Sequence, residues 1–223
     1  MKMTKKKVFV MALAVCLVAI LSLGTLAWFN ASDKVTNKFM VTDSETDSDE
    51  IFSVDLYETK VDENGDPVDP VQKTDDGNTY DNIAPGDVLT KDPTVENTGK
   101  YAQWIRVNVT LTNAENWISA LGACGITDIT TIFGGYDGDA WRSEGTAADI
   151  DKTNNTLTFT YYLKDKLDPG KTVTLFTNVN IPTEFDQDYM SYLNEFELKI
   201  VAEALQYDNT GDDCYNAFDL YWE

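Results

Sequence analysis

Ile105-Arg106-Val107-Asn108-Val109-Thr110-Leu111 alternates apolar and polar residues without a break, after Trp104. Ile105, Val107, Val109 and Leu111 share one phase, and Arg106, Asn108 and Thr110 share the other. A strict period of two, rich in β-branched residues, predicts a strand with one face buried. The same pattern returns downstream. Leu157, Phe159, Tyr161 and Leu163 alternate with Thr156, Thr158, Thr160 and Tyr162. Val173, Leu175, Thr177, Val179 and Ile181 form a third run, and Phe196, Leu198, Ile200, Ala202 and Ala204 a fourth. Upstream, Asn37–Val41, Ile51–Glu58 and Val88–Asn97 read as further strands.

Turn chemistry punctuates these runs. Ala84-Pro85-Gly86-Asp87 and Asp168-Pro169-Gly170-Lys171 each carry Pro-Gly. Proline presets φ for the first central position of a turn and glycine accepts positive φ at the second. Asn97-Thr98-Gly99-Lys100 predicts a hairpin turn joining Val88–Asn97 to Tyr101–Thr112. Antiparallel pairing across short turns points to an all-β fold, a jelly-roll-like β-sandwich. Two stretches read as insertions on that frame: the acidic 61–82, and 114–150, which combines a helical patch at Trp117–Leu121 with a Gly/Asp-rich loop at Gly134–Gly145. A helical turn is predicted within Thr183–Leu193, with Phe185, Met190 and Leu193 facing inward. No linker divides the chain, so 28–223 reads as one domain.

Residues 1–27 read as a secretory signal peptide. Lys2, Lys5, Lys6 and Lys7 precede an apolar run from Val8 to Leu23, broken only by Ser22, and Thr25 and Ala27 supply small residues at a peptidase site. The sixteen-residue run is shorter than the roughly 20 residues of a spanning helix. Cleavage is therefore expected between Ala27 and Trp28, leaving no membrane segment. Losing four lysines takes the net charge from −21 to −25. Such a field repels phosphate backbones, so nucleic acid is not an expected partner.

The chain has no histidine. The commonest general base and zinc ligand are therefore missing, and no phosphate-binding glycine loop or C-x-x-C pair is present. No catalytic residue, cofactor or metal is assigned. Asp62-Glu63-Asn64-Gly65-Asp66, Tyr136–Asp139 and Asp208–Asp213 place oxygens as calcium loops do, but the first has its glycine misplaced for an EF-hand and Lys73 at the twelfth position. Trp104, Trp117, Trp141, Tyr161 and Tyr162 fit either a packed core or a carbohydrate groove, and core packing is the expectation. Cys16 lies in the leader. Cys124 and Cys214 fit either one disulfide, as export permits, or two free buried thiols.

Four segments together resemble a known family. Gly24-Thr25-Leu26-Ala27-Trp28-Phe29-Asn30 is similar to the junction processed by SipW-type signal peptidases. Val35-Thr36-Asn37-Lys38-Phe39 is similar to the segment opening the mature domain. Ile83-Ala84-Pro85-Gly86-Asp87, with Leu89-Thr90-Lys91 and Val95-Glu96-Asn97-Thr98-Gly99, resembles an internal PGD region, and Val201-Ala202-Glu203-Ala204-Leu205-Gln206 a terminal strand. These resemble the TasA/camelysin matrix proteins of Gram-positive bacteria. The resemblance implies a jelly roll, export by a SipW-type peptidase, and a biofilm-matrix fibre subunit or accessory that associates with itself and with other matrix proteins. It also implies a donor strand over Trp28–Val41, with Trp28, Phe29, Val35, Phe39 and Val41 as its apolar residues. Camelysins have been described as metalloproteases, but without histidine that activity is not carried over. The rival expectation is an extracellular adhesin or ligand-binding surface module using the two insertions.

Overall fold

The computed structural model describes residues 30–34, 52–62, 65–81, 83–145, 149–193 and 196–221. The signal peptide, the Ala27–Trp28 junction, the donor residues Phe29, Val35, Phe39 and Val41, and the strand expected at Asn37–Val41 lie outside them.

The chain is mostly β, in three antiparallel sheets with few helices. Its strands are β1 (Asn30–Lys34), β2 (Val54–Thr59), β3 (Lys73–Thr74), β4 (Val88–Thr90), β5 (Thr94–Asn97), β6 (Gln103–Thr112), β7 (Phe133–Gly134), β8 (Trp141–Glu144), β9 (Thr156–Leu163), β10 (Thr172–Thr174), β11 (Asn178–Asn180) and β12 (Leu198–Gln206). The helices are α1 (Ala114–Ala123), α2 (Gln187–Tyr192) and α3 (Cys214–Tyr221). The largest sheet has the order β1-β12-β6-β9-β8, with β6 at its centre. Its register sets Val109 opposite both Ile200 and Phe159, so the inward phases of three strands coincide. The other sheets run β10-β5-β2-β3 and β4-β11-β7. One buried cluster takes residues from all three, including Leu56, Leu89, Val95, Val107, Phe159, Val179 and Ile200.

Two expected strands are each broken in two. Val173–Ile181 divides into β10 and β11, because Leu175 and Phe176 are consecutive and both buried, which no single strand phase allows. Val88–Asn97 divides into β4 and β5 around Asp92-Pro93, where proline has no N–H for a ladder. The two breaks face each other. Lys91 N–H donates to the Thr177 carbonyl at 3.2 Å and Leu175 N–H to the Pro93 carbonyl at 3.0 Å. The halves thus form one bent ribbon that carries the ladder from the three-stranded sheet into the four-stranded one.

The hairpin expected at Asn97–Lys100 is not one. β5 pairs with β2 and β10, β6 pairs with β12 and β9, and the turn is a corner between sheets. Asn97 locks it: its Nδ2 donates to the Tyr101 and Leu167 carbonyls, both at 2.8 Å, and its Oδ1 accepts from Gly99 N–H and Gln103 Nε2. The Pro-Gly turns form as read. Gly86 and Gly170 have φ of 88° and 69°, and Asp87 and Lys171 N–H close back onto the Ala84 and Asp168 carbonyls.

The stretch read as a Gly/Asp-rich loop, Gly134–Gly145, supplies β8, an edge of the largest sheet. Its single inward residue is Trp141, while Arg142 and Ser143 are exposed, too short a run for periodicity to register. The helical patch at Trp117–Leu121 is the centre of α1, which buries Ala114, Trp117, Ala120 and Leu121. The turn expected within Thr183–Leu193 contains α2, with Phe185 and Leu193 buried and Met190 packed against the core at partial exposure.

Candidate functional site

The chain's first described element lies on the edge of its largest sheet. β1 pairs antiparallel with β12, in the register Asn30–Leu205, Ser32–Glu203 and Lys34–Val201. β12 runs from Leu198 to Gln206, and β1 covers Val201–Leu205, so β12 extends three residues beyond β1 at Leu198–Ile200. Residues 35–53 connect β1 to β2.

The outer face of the same sheet carries a second apolar cluster. Trp104, Leu205, Cys214, Ala217 and Phe218 are buried together where α3 lies across β6 and β12. Asp213 caps that helix, its Oδ1 accepting from Asn216 N–H at 3.0 Å. Arg106 is the centre of the contact. Its Nε donates to Glu203 Oε2 at 2.6 Å and its guanidinium lies 4.4 Å from the Phe218 ring centre. Asn108 donates to the same Glu203 oxygen at 2.9 Å. Arg142 of β8 stacks 4.1 Å over Tyr215, and Tyr162 of β9 packs edge-on to Tyr215 at 5.1 Å. Burial raises the Tyr162 pKa, with the Arg106 guanidinium acting the other way. α3 therefore holds β12, β6, β9 and β8 from the outer face of the sheet.

Cys124 and Cys214 are both free thiols, and the bridge weighed from the sequence is not made. Cys124, half-buried after α1, is 3.5 Å from the Glu184 carbonyl oxygen. Cys214 opens α3 and donates to the Ile105 carbonyl at 3.3 Å. Burial, and then the adjacent Asp213 carboxylate, push its thiol up to about 12. The aromatics offered for a carbohydrate groove are packed inside: Trp104, Trp117, Trp141 and Tyr161 are buried, and only Tyr162 is partly open.

The acidic loops use their oxygens on their own backbone. Asp62 Oδ1 accepts from Asp66 N–H, Asp137 Oδ1 from Asp139 N–H, and Asp151 Oδ1 from Thr153 N–H and Asn154 N–H. Among the described residues no group of three or more His, Cys, Asp or Glu is placed to hold a metal ion.

Sequence reading missed α3 and the charged residues Glu58 and Lys91, which are both buried and ion-paired at 2.6 Å. The signal was present in the phase. Val54, Leu56 and Glu58 share one side of β2, and Leu89 and Lys91 share another inward phase, so each charge continues an apolar series.

Comparisons with models of known protein families, with curated proteins and with solved structures find no match to this chain.

Proposed function

We propose that this chain is a secreted structural protein of an extracellular biofilm matrix, a fibre subunit or accessory on a jelly-roll-like sandwich, which assembles by donating its N-terminal strand. The observation that carries the reading is the position of β1. It is the first described element, it sits on a sheet edge, and among the described residues it pairs with β12 alone. The bonds it makes to its own β12 are the bonds it would make to the β12 of a neighbour. Exchanging one for the other costs little, as in domain swapping. Nineteen residues separate β1 from β2, and an extended chain of that length spans up to roughly 60 Å, enough to reach an adjacent subunit. Each subunit then donates one strand and accepts one, and a head-to-tail contact that does not close generates a filament. An edge strand's unpaired N–H and C=O groups supply affinity without a side-chain pocket.

The four sequence segments described above support the same reading, and the signal-peptide pattern supports export by a SipW-type peptidase. No enzymatic step is part of it.

The test compares mature protein beginning at Trp28 with a form lacking 28–41, by electron microscopy and by circular dichroism. Filaments from the first, and a folded non-polymerising second, are the expected result. A folded truncated form that polymerises as well as the intact one refutes strand donation. A stable monomer from both favours the adhesin.

A further inference from the structure

Two groups from two other segments, Lys91 and Asn78, converge on the carboxylate of Glu58. Glu58 is fully buried at the end of β2's inward series, and Lys91, just beyond β4, is 7% exposed. Glu58 Oε1 accepts from Lys91 Nζ at 2.6 Å. Glu58 Oε2 accepts from Asn78 Nδ2 at 3.4 Å. The Asn78 amide is held at both ends: Nδ2 also donates to the Thr59 carbonyl at 2.8 Å, and Oδ1 accepts from Val61 N–H at 3.0 Å. The other acid nearby, Asp92, is occupied by Thr59, accepting from its N–H at 2.7 Å and its hydroxyl at 2.6 Å. Tyr80 closes the cluster, its hydroxyl donating to the Thr90 carbonyl. Burial, reinforced by the Glu58 and Asp92 charges, drives the Tyr80 pKa upward.

A buried ion pair needs only its two members. Here the carboxylate also binds the nitrogen of a carboxamide whose oxygen is already polarised by a backbone N–H. Amine nucleophile, proton carrier, amide electrophile and oxyanion donor are thus in place together. We infer that Lys91 and Asn78 join through an intramolecular isopeptide bond, with Glu58 carrying the protons.

The step balances without a co-reactant. Lys91 passes one proton from Nζ to Glu58 along the 2.6 Å hydrogen bond. The neutral amine attacks Asn78 Cγ, forming the Nζ–Cγ bond, and the developing oxyanion on Oδ1 is met by Val61 N–H. Glu58 delivers its proton to Nδ2, the Cγ–Nδ2 bond breaks, and ammonia leaves. Glu58 retains the second Nζ proton as a neutral acid. A buried ammonium–carboxylate pair is replaced by a neutral amide and a neutral carboxylic acid, which removes the desolvation cost that buried charges carry. Attack requires Nζ to come within about 3–3.5 Å of Cγ, and both groups already sit on the two oxygens of one carboxylate. The bond pins the end of the 61–82 stretch to the bent ribbon and closes a ring around the Pro85-Gly86 turn and β4. It stands independently of the assembly reading.

Intact mass and peptide mapping of the denatured full chain test it. The folded protein is expected to weigh about 17 Da less than its sequence, the mass of the ammonia released when a nucleophile displaces it. Trypsin is expected to skip Lys91, leaving the single peptide 74–100 in place of 74–91 and 92–100, with the deficit mapped to Asn78 and Lys91. Glu58→Gln should restore the full mass. Lys91→Arg keeps the charge but forms no such amide, so it should also show the full mass and covers the case in which Glu58→Gln fails to fold. Folded wild type at full mass with Lys91 cleaved, after days at neutral pH, overturns the inference. So does a deficit that survives in Lys91→Arg or maps to succinimide at another asparagine.

Discussion

Cys214 Sγ donates to the Ile105 carbonyl oxygen at 3.3 Å, fastening the first turn of α3 to the outer face of β6. The thiol's ordinary pKa of 9.0 is pushed up to about 12, by burial first and the Asp213 carboxylate second. The folded state thus favours the protonated form. Its contribution is complete below pH 9 and is lost as pH rises toward 12, where the unfolded chain ionises first. Burial shifts Tyr80 and Tyr161 in the same direction. The denaturation midpoint is expected to fall between pH 9 and 12, with Cys214 alone contributing roughly 2–4 kcal/mol of the loss. Urea titrations at pH 8, 10 and 11 measure it, and a flat midpoint speaks against the coupling. In the native state an alkylating reagent should label Cys124 and spare Cys214 until the chain unfolds.

Phe218 fills the outer cluster and carries Arg106 on its ring at 4.4 Å. Phe218→Ala should cost about 3–5 kcal/mol, as for other buried phenylalanines. It should also uncover Trp104, which packs 4.7 Å from Tyr207 under the same helix. A red-shifted tryptophan emission before global unfolding is the expected signature. An unshifted spectrum together with unchanged stability would mean α3 contributes little.

Trp117 and Trp141 are buried to the same degree but differ in one hydrogen bond. Trp141 Nε1 donates to the Thr174 carbonyl at 3.1 Å, whereas Trp117 Nε1 has no partner among the described residues. Replacing each with phenylalanine removes similar volume, but only Trp141→Phe leaves a carbonyl acceptor unsatisfied. Trp141→Phe is expected to be the more destabilising by about 1 kcal/mol. Chemical denaturation of the two variants side by side checks the order.

The sequence was legible where period two was long. β6, β9 and β12 bury the phases that alternation assigns to them, because each has a partner on both sides and one face on the core. It was illegible where the chain changes sheets. Pro93 and the adjacent pair Leu175-Phe176 break the ladder through a bend that alternation averages over. The Asn97 corner was misread for a related reason. Asn-x-Gly fits a hairpin turn, but the hydrogen bond from Asn97 to Leu167, seventy residues away, selects a corner instead. α3 was hidden because its buried face is short, Cys214, Ala217 and Phe218, and is set by the sheet beneath it. The Glu58–Lys91 pair was written in the phase of β2 and of Leu89, yet neither residue names its partner without the fold.

The chain carries 38 acidic and 17 basic residues, so subunits approaching at neutral pH and low salt repel one another. Two independent changes relieve that repulsion. Lowering pH toward about 4 protonates carboxylates, and raising salt from 0.15 to 1 M shortens the screening length from about 8 to about 3 Å. If strand exchange at the β1–β12 edge drives assembly, both should increase filament length for mature protein, and neither should do so for protein lacking 28–41, since screening removes a barrier but supplies no strand. If charge neutralisation alone drives association, intact and truncated proteins should precipitate together, without filament order. Light scattering with electron microscopy on the same samples separates these outcomes. Equal, ordered polymerisation of both forms at low pH would place the contact at a surface other than β1.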